Sequence, residues 1–467
     1  MNLPRSLALS LCLALSALSS LQAGVYFGNG IKIGEVDSTS AIVWLRLTDR
    51  PERRSDGTEF NDKDSAVPAG LSLRDMKDSL MGAAGSVRLR YKTADDQETV
   101  TDWRSVEANQ DFTTQIRLDG LKPGAAYTVV AEGRAEGEEN PSVKCEGGFR
   151  SAPAASMAAP VRFVVVTCHD FPRRDDGERG HIIYKAMSGL KPEFFVHAGD
   201  IEYYDKAGPF AKSAELARFK WNRLYSLANQ RDFHCRHASY FMKDDHDTLM
   251  NDCWPGQTYG DLTWEQGLAI FREQVPMGEK TYRTTRWGRD LQIWMVEGRD
   301  YRSPNNMPDG PEKSILGAEQ KKWLFDSLRA SDATFRVVIS PTPIIGPDRG
   351  SKNDNLSNKG FTHEGNEVKA FLASQSGTFV ICGDRHWQYA SRHPKSGLWE
   401  FGCGPGSDSH AGGFAMKNRE PEHQFLRING GFLSVAVTPE GATPQILFRH
   451  HDVSGEIVHE ESFSKTP

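Results

Sequence analysis

The feature that most constrains the fold of this chain is a strand–helix–strand pattern between residues 162 and 205. A run of β-branched residues at 162–167 is followed by apolar residues spaced three and four apart at 182–190, which predicts a helix. A second apolar run follows at 194–198. In a parallel unit of this kind both strands end at the same edge of the sheet, and ligands bind there. The residues that closely follow the two strands are Cys168, Asp170, Asp200 and Tyr203.

Further apolar runs beyond residue 205 also end in polar residues that can carry chemistry. The runs are residues 239–242, 291–296 and 378–382. Each motif alone is weak, because an Asp after Gly is often a turn residue and a buried His is often a core residue. Together they predict one site, since so many costly polar groups would not gather at one edge by chance. The residues are Asp245, His246, Asp384 and His386.

The composition is that of an ordinary globular protein with enough residues for two domains or one large one. The chain has 467 residues, of which 38% are hydrophobic and 25% charged, with a formal net charge of −6. No block of Lys and Arg is interleaved with aromatic residues, so nothing indicates specific nucleic-acid recognition.

The first 23 residues have the pattern of a Sec-type signal peptide. Arg5 precedes an apolar stretch at 7–18, and small residues at 19–23 predict cleavage near Ala23. No other run approaches the ~20 apolar residues of a membrane span, so we expect no transmembrane anchor in a secreted or periplasmic mature chain. An oxidising compartment permits disulfides. The pairs that would close modest loops are Cys235–Cys253 and Cys382–Cys403.

Residues 24–155 are predicted to form an all-β domain of the fibronectin or immunoglobulin type. Short β-rich runs recur there, several with alternating polarity. Tyr127 follows a Pro-Gly pair, as in the corner where a Tyr hydroxyl bonds back to the chain in such sandwiches. The charged stretch at 49–85 is interpreted as an insertion or loop. A linker rich in Ala, Ser and Pro, residues 151–160, leads to a second domain predicted at 156–467.

The motif set resembles the PhoD-like alkaline phosphatase family of the metallophosphoesterase (calcineurin-like) superfamily. The matching motifs, in order, are Cys168-x-Asp170, Gly199-Asp200-x-x-Tyr203, Asp244-Asp245-His246 and Gly383-Asp384-x-His386. The resemblance implies an α/β protein with a fibronectin-like N-terminal domain and a four-layer α/β/β/α catalytic domain. It also implies a secreted, metal-dependent phosphatase or phosphodiesterase.

Carried over by position, the resemblance implies at least two metal ions that share Asp200. Cys168 and Tyr203 would help to hold Fe3+, with Asp170 beside them. Asp245 and Asp384 would hold a hard cation, Ca2+ or else Mn2+ or Mg2+. The remaining implied ligands are Asn222, which lies in a Trp-Asn-Arg context, and His386, which binds a metal or orients phosphate.

The mechanism that the resemblance implies is in-line attack on phosphorus by a hydroxide that bridges the metals. His246 would protonate the leaving alcohol. Arg299 would contact the phosphate, although a structural partnership with Asp300 or Glu297 is an equal alternative. The motifs do not distinguish phosphate monoesters from diesters.

Several other interpretations remain open. The sequence Asp408-Ser409-His410 could supply a serine nucleophile of another phosphatase class. The polar segment 352–359 could be a lid or a solvated loop. The protein could hydrolyse sulfate or acyl esters instead, or it could be a cell-surface binding protein whose catalytic site has decayed.

Overall fold

The computed structural model describes residues 24–439 and 443–465. The predicted signal peptide therefore lies outside the described residues. Within those ranges, no helix combines the length and the hydropathy needed to cross a bilayer.

The strands up to residue 150 divide between two sheets. Strands β1, β2 and β6 join a large sheet, whereas β3, β4, β5, β7 and β8 form a separate antiparallel sheet. Their bounds are β1 Ile31–Gly34, β2 Ser40–Arg46, β3 Gly85–Lys92, β4 Thr99–Val100, β5 Arg104–Val106, β6 Thr113–Asp119, β7 Ala126–Ala135 and β8 Val143–Arg150.

The predicted strand–helix–strand unit is present, and it lies at the centre of the large sheet. The elements of this half are β9 Val161–Val166, α1 Ile183–Gly189, β10 Phe194–Ala198, α2 Ala214–Tyr225, α3 Ala228–His234, β11 Ala238–Met242, β12 Thr258–Tyr259, β13 Leu262–Thr263 and α4 Trp264–Gln274. Strands β9, β10 and β11 are parallel, with Val196 paired to Val165 on one side and to Tyr240 on the other. The carboxyl ends of all three strands therefore meet at one edge.

The rest of the chain builds a second sheet and returns to the first. Its elements are β14 Arg283–Trp287, β15 Leu291–Met295, α5 Gly317–Ala330, β16 Phe335–Ser340, α6 Thr362–Ser374, β17 Thr378–Cys382, β18 Gln388–Arg392, β19 Trp399–Cys403, β20 His423–Arg427, β21 Phe432–Thr438, β22 Gln445–His451 and β23 Ile457–Ser464. The seven-stranded sheet has the order β14-β15-β16-β17-β19-β18-β20, and the nine-stranded sheet has the order β23-β22-β21-β9-β10-β11-β1-β2-β6.

Alternation along the strands explains why the two sheets stack. Val165 and Val196 of the first sheet share one buried cluster with Ile339 and Ile381 of the second. Residues one position away, such as Val164, face helices α1 to α4, and Val338 faces α5 and α6. Because both faces of both sheets are covered, the apolar runs are nearly continuous, as expected for buried parallel strands. The predicted four-layer α/β/β/α arrangement is confirmed.

The first sheet continues across the predicted domain boundary at residue 155. Strand β1 pairs in parallel with β11, through Gly34 and Ser239. All seven residues of β2 are buried, which is typical of an inner strand rather than of one face of a sandwich. The division into two domains stays a prediction, but the backbone hydrogen bonding does not stop at that point.

Two expectations for the N-terminal region can be compared with observed contacts. The hydroxyl of Tyr127 accepts a hydrogen bond from the backbone N–H of Lys122, at 2.8 Å, as the corner motif predicted. The six described cysteines are all free thiols. Neither of the two suggested disulfides, Cys235–Cys253 and Cys382–Cys403, is formed.

Candidate metal centre

Thr167 connects the strand ends that carry the site. Its hydroxyl donates a hydrogen bond to the carbonyl of Gly199, at 3.0 Å, and accepts one from the backbone N–H of Asp384, at 3.2 Å. Strands β9 and β10 belong to the first sheet and β17 to the second, so this one side chain holds ends of both sheets together.

The backbone turns sharply at three of the predicted ligands. Cys168, Asp200 and Asp384 have φ values of 55°, 56° and 60°. Residues other than glycine rarely adopt this left-handed conformation, and it clusters at functional sites where the surrounding structure enforces it. Gly383 is needed for the approach of the two sheets, because a Cβ there would lie 2.3 Å from the carbonyl oxygen of Ala198.

The first group of ligand atoms combines a thiol, a carboxylate and an imidazole. One ligand atom from each of Cys168, Asp200 and His386 lies within 4.8 Å of the others. The Tyr203 hydroxyl lies 3.3 Å from Oδ2 of Asp200 and 3.4 Å from Nε2 of His386. These four predicted residues are therefore brought together, although they span more than two hundred positions of sequence.

Asp200 also belongs to two further groups of ligand atoms. One group joins it to Asp245 and His246, and the other joins it to Asp244 and Asp384, with the atoms of each group within 4.8 Å of one another. A carboxylate shared by all three groups is placed to bridge cations. Asp244 was not predicted as a ligand, although it stands next to Asp245 in the same motif.

The electrostatics of these carboxylates favour bound cations. Oδ1 of Asp200 and Oδ2 of Asp244 are buried and have no hydrogen-bond partner among the described residues. Burial, together with the neighbouring Asp245 and Asp244, raises the pKa of Asp200 to about 8. Buried unpaired carboxylates are strongly unfavourable unless they coordinate metal or are neutralised. The residues present therefore fit a centre of two or three metal ions.

Two of the predicted ligands are in none of the three groups. Asp170 lies beside Tyr203, with Oδ2 3.4 Å from Nε of Arg173 and a buried Oδ1 that has no hydrogen-bond partner among the described residues, so its role as a ligand stays a prediction. The Asn222 amide donates to Asp111 at 2.8 Å, in the segment before β6. The prediction of Asn222 as a metal ligand is wrong, because α2 turns Lys220 rather than Asn222 towards the Tyr203 loop.

The side chain of Arg299 pairs with two carboxylates of the cluster. Its guanidinium is fully buried, with Nε 2.5 Å from Oδ1 of Asp244 and Nη2 3.7 Å from Oδ2 of Asp245. This geometry favours the structural alternative over the phosphate contact. The side chain of Arg299 pairs with Asp244 and Asp245, and its backbone N–H donates to Oε1 of Glu297 at 2.8 Å. The carboxylates of Glu297 and Asp300 also bind the Lys243 ammonium. Arg299 therefore stabilises the negative charge of Asp244 and Asp245.

We expect Arg299→Met to destabilise the protein by about 3–5 kcal/mol, because it leaves Asp244 buried without its partner. The free energy of unfolding in urea measures this loss. Arg329→Met is a matched control, since Arg329 is an exposed arginine paired with Asp326 at the end of α5, where such pairs contribute about 0–1 kcal/mol. Unchanged stability with only a higher KM would restore the role of phosphate contact.

His246 is oriented by a carboxylate that sequence reasoning did not select. Its Nδ1 lies 2.6 Å from Oδ1 of Asp205. Asp205 stands two residues after Tyr203 in the sequence. Burial alone lowers the pKa of His246, but Asp245, Asp200 and Asp205 outweigh it and raise the pKa to about 10. These carboxylates therefore favour the protonated form of the imidazole.

A cavity of about 360 Å³ opens over the cluster. Tyr203, His246, Asp384 and His386 line it, and four cationic residues surround them. Positive charge beside a metal cluster favours anionic ligands. The cations are Arg173, Lys206, Arg349 and Lys352.

The two loops that had other interpretations form walls of this region. Ser409 Oγ donates to the carbonyl of Arg173 at 2.6 Å, whereas Nδ1 of His410 lies 3.1 Å from the carbonyl oxygen of Cys168. Ser409 is thus not paired with its neighbouring His as an activated nucleophile would be. In the segment 352–359, residues 354–356 are buried, so the segment is neither a free lid nor a solvated loop.

Comparison with known proteins agrees with this geometry. The sequence profile described as "PhoD-like phosphatase" matches residues 163–442. Alkaline phosphatase D of Bacillus subtilis (strain 168) is 22% identical over 398 residues, covering 70% of this chain and 64% of that protein. The chain thus spans less than two thirds of the length of this relative.

Two solved structures share the fold. The structure of PhoD has a TM-score of 0.72 at 18% identity and covers 94% of this chain and 90% of that one. A purple acid phosphatase isolated from yellow lupin (Lupinus luteus) seeds has a TM-score of 0.64 at 12% identity, covering 93% and 74%.

The stacked sheets and the ligand atoms grouped around Asp200 define the class of the molecule as a metallophosphoesterase-like protein, as predicted. Within that class, the chain belongs to the PhoD-like phosphatase family. The predicted membership of this family is confirmed.

Proposed function

We propose that this protein is an exported hydrolase of phosphoric esters that uses metal ions held at Asp200. The observation that carries the proposal is the sharing of Asp200 by three groups of ligand atoms, beneath a cavity lined with cations. When bound, the ions would supply Lewis-acid chemistry, which activates water and neutralises charge on phosphate. Export would follow from the predicted signal peptide at residues 1–23 and would leave a mature chain that begins near Gly24.

The donor types suggest which ions bind. Cys168, Tyr203, Asp200 and His386 would hold ferric iron, because anionic sulfur and phenolate ligands stabilise the trivalent state. Asp244, Asp245 and Asp384 offer only carboxylate oxygens, which suit Ca2+, or else Mn2+ or Mg2+. Burial raises the pKa of Cys168 and of Tyr203 well above the usual values, so both would ionise only when a cation compensates them.

The substrate phosphate would be oriented by the cations of the cavity. Arg173, Lys206 and Arg349 line this cavity. Lys352 already pairs with Asp252 at 2.7 Å and contributes less charge. His246, held by Asp205, would donate its proton to the departing alcohol oxygen.

We expect Tyr203→Phe to abolish a visible charge-transfer band while the protein remains folded. A phenolate bound to ferric iron absorbs visible light, and phenylalanine cannot supply that ligand. The absorption spectrum of the iron-loaded protein, compared with that of Tyr204→Phe, measures the effect. Tyr204 is buried nearby, but its hydroxyl accepts a hydrogen bond from Nε1 of Trp221. A colourless, fully active wild-type protein would remove iron from the proposal.

The reaction class is tested by a substrate screen after metal reconstitution. An aryl phosphate, a bis-aryl phosphate, an aryl sulfate and an aryl acyl ester are compared at equal concentration. Turnover of the phosphate esters supports the proposal, and turnover of only the sulfate or acyl ester would reject it. A protein that purifies without metal and hydrolyses none of the four would be a decayed binding protein.

A further inference from the structure

A second cavity adjoins the one above the metal cluster. It has a volume of about 390 Å³ and lies between the loop around residue 349, the start of α6 and the turn near His393. Arg349 and Lys352 line both cavities. The two spaces therefore share a wall, and we call the second one the distal pocket.

The distal pocket carries uncompensated positive charge. Lys359 and Lys369 line it, and neither side chain makes a hydrogen bond or an ion pair with any described residue. Burial lowers the pKa of Lys369, and only the more remote Glu400 opposes this shift. An anion in the pocket would supply the missing counter-charge.

Negative groups at the pocket offset this charge only in part, because none of them pairs with Lys359 or Lys369 within 4.0 Å. Asp348 is turned inwards, where its carboxylate accepts from Asn355 at 2.9 Å and lies 3.3 Å from Arg385. Glu422 also lines the pocket, but it makes no ion pair with Lys369 within 4.0 Å. Ser357, Asn358 and Thr362 also line the pocket, but each side chain already donates one hydrogen bond, to Asn355, Asp354 and Asn358 respectively. The two lysines would therefore provide the main contacts to a bound oxyanion.

We propose that the distal pocket binds a second phosphate of the substrate while the scissile ester lies at the metal cluster. The inference rests on the proposed function and makes it more specific. It favours phosphoric esters that carry a distal phosphate, either bisphosphates or chains linked by phosphodiesters. Arg349 and Lys352 line both spaces, so a substrate with its two phosphates on either side of these residues would occupy both cavities.

Matched chromogenic esters test the proposal. The first is a p-nitrophenyl alkyl phosphodiester whose alkyl chain ends in a phosphate, and the second is the same ester with a chain that ends in a hydroxyl. A series of chain lengths measures the distance between the metal cluster and the distal pocket. We expect the lowest KM for the phosphate-ended ester at one chain length. In the double variant Lys359→Gln/Lys369→Gln, the KM of that ester should rise about tenfold, because two charged contacts are lost. The rise should be smaller at high salt, which screens the same contacts in the wild type. The KM of the hydroxyl-ended ester should not change.

The controls separate this inference from the proposed function. Lys322→Gln removes an exposed lysine of α5 that pairs with Asp326, and it should leave both KM values unchanged. A third ester ends in a methyl phosphodiester. If this ester has the lower KM, the pocket favours a phosphodiester chain; if the phosphate-ended ester has the lower KM, the pocket favours a terminal phosphate. Equal KM values for all wild-type esters, or an unaffected double variant, would overturn the distal pocket. Failure of the wild type to hydrolyse any of them would instead overturn the proposed function.

Discussion

Asp200→Asn is expected to abolish both metal binding and turnover while the fold persists. Asp200 takes part in all three groups of ligand atoms, so its loss removes the shared ligand of every cation. Changing residues that only support metal ligands already costs about 10–100-fold. We therefore expect kcat/KM to fall on the order of 10³-fold or more. Elemental analysis and hydrolysis of an aryl phosphate measure the two losses.

The substitution is conservative for the backbone, which keeps the test specific. Asp200 has a φ of 56°, and asparagine tolerates this left-handed conformation about as well as aspartate. Asp78→Asn is the matched control, since Asp78 has a φ of 65°, its carboxylate accepts a hydrogen bond from Arg53, and it belongs to none of the three groups. Asp200→Asn that kept its metal and its activity would contradict the bridging role.

His246→Asn should slow the hydrolysis of alkyl phosphates roughly 10²–10⁴-fold, the usual contribution of a general acid. The alcohol needs a proton when it leaves, whereas p-nitrophenolate leaves readily without one. The loss should therefore be much smaller for p-nitrophenyl phosphate. Measuring kcat for both substrates provides the control within one variant, and an equal loss for both would assign His246 to metal binding instead.

The pH dependence of the same step follows from Asp205. A general acid must be protonated, so kcat should decline as the pH rises through the pKa of His246. Asp205 is one of the carboxylates that raise this pKa to about 10, and Asp205→Asn should move the declining limb to lower pH. A limb that stays in place would show that another group titrates there.

Much of the fold could be predicted because its signals are local. A run such as residues 194–198 is apolar on both faces, and the polar residues directly after it mark the strand end. The strand order could not be predicted in the same way. Nothing local to β2 indicates that it joins the sheet of β9 to β11, since that placement depends on β1 pairing with β11 across two hundred residues.

The candidate site, like the fold, could be predicted from the sequence only in part. Cys168, Asp200, Tyr203, Asp245, Asp384 and His386 could be selected because each lies just past a strand whose direction the pattern predicts. The contacts of Arg299 and Asn222 could not be selected in this way, because the direction of a long side chain depends on its packing neighbours. The guanidinium of Arg299 forms an ion pair with Asp244, and the amide of Asn222 donates a hydrogen bond to Asp111.

The identity of the ligand-forming groups and their position at one sheet edge are thus properties of the sequence itself, because strand periodicity and strand ends are written in neighbouring residues. Three further features of the site depend on the tertiary structure. These are the burial of Arg299, the pairing of His246 with Asp205, and the four cationic residues that line the cavity. They join side chains far apart in the chain, and the free energy of such contacts depends on packing and desolvation in three dimensions.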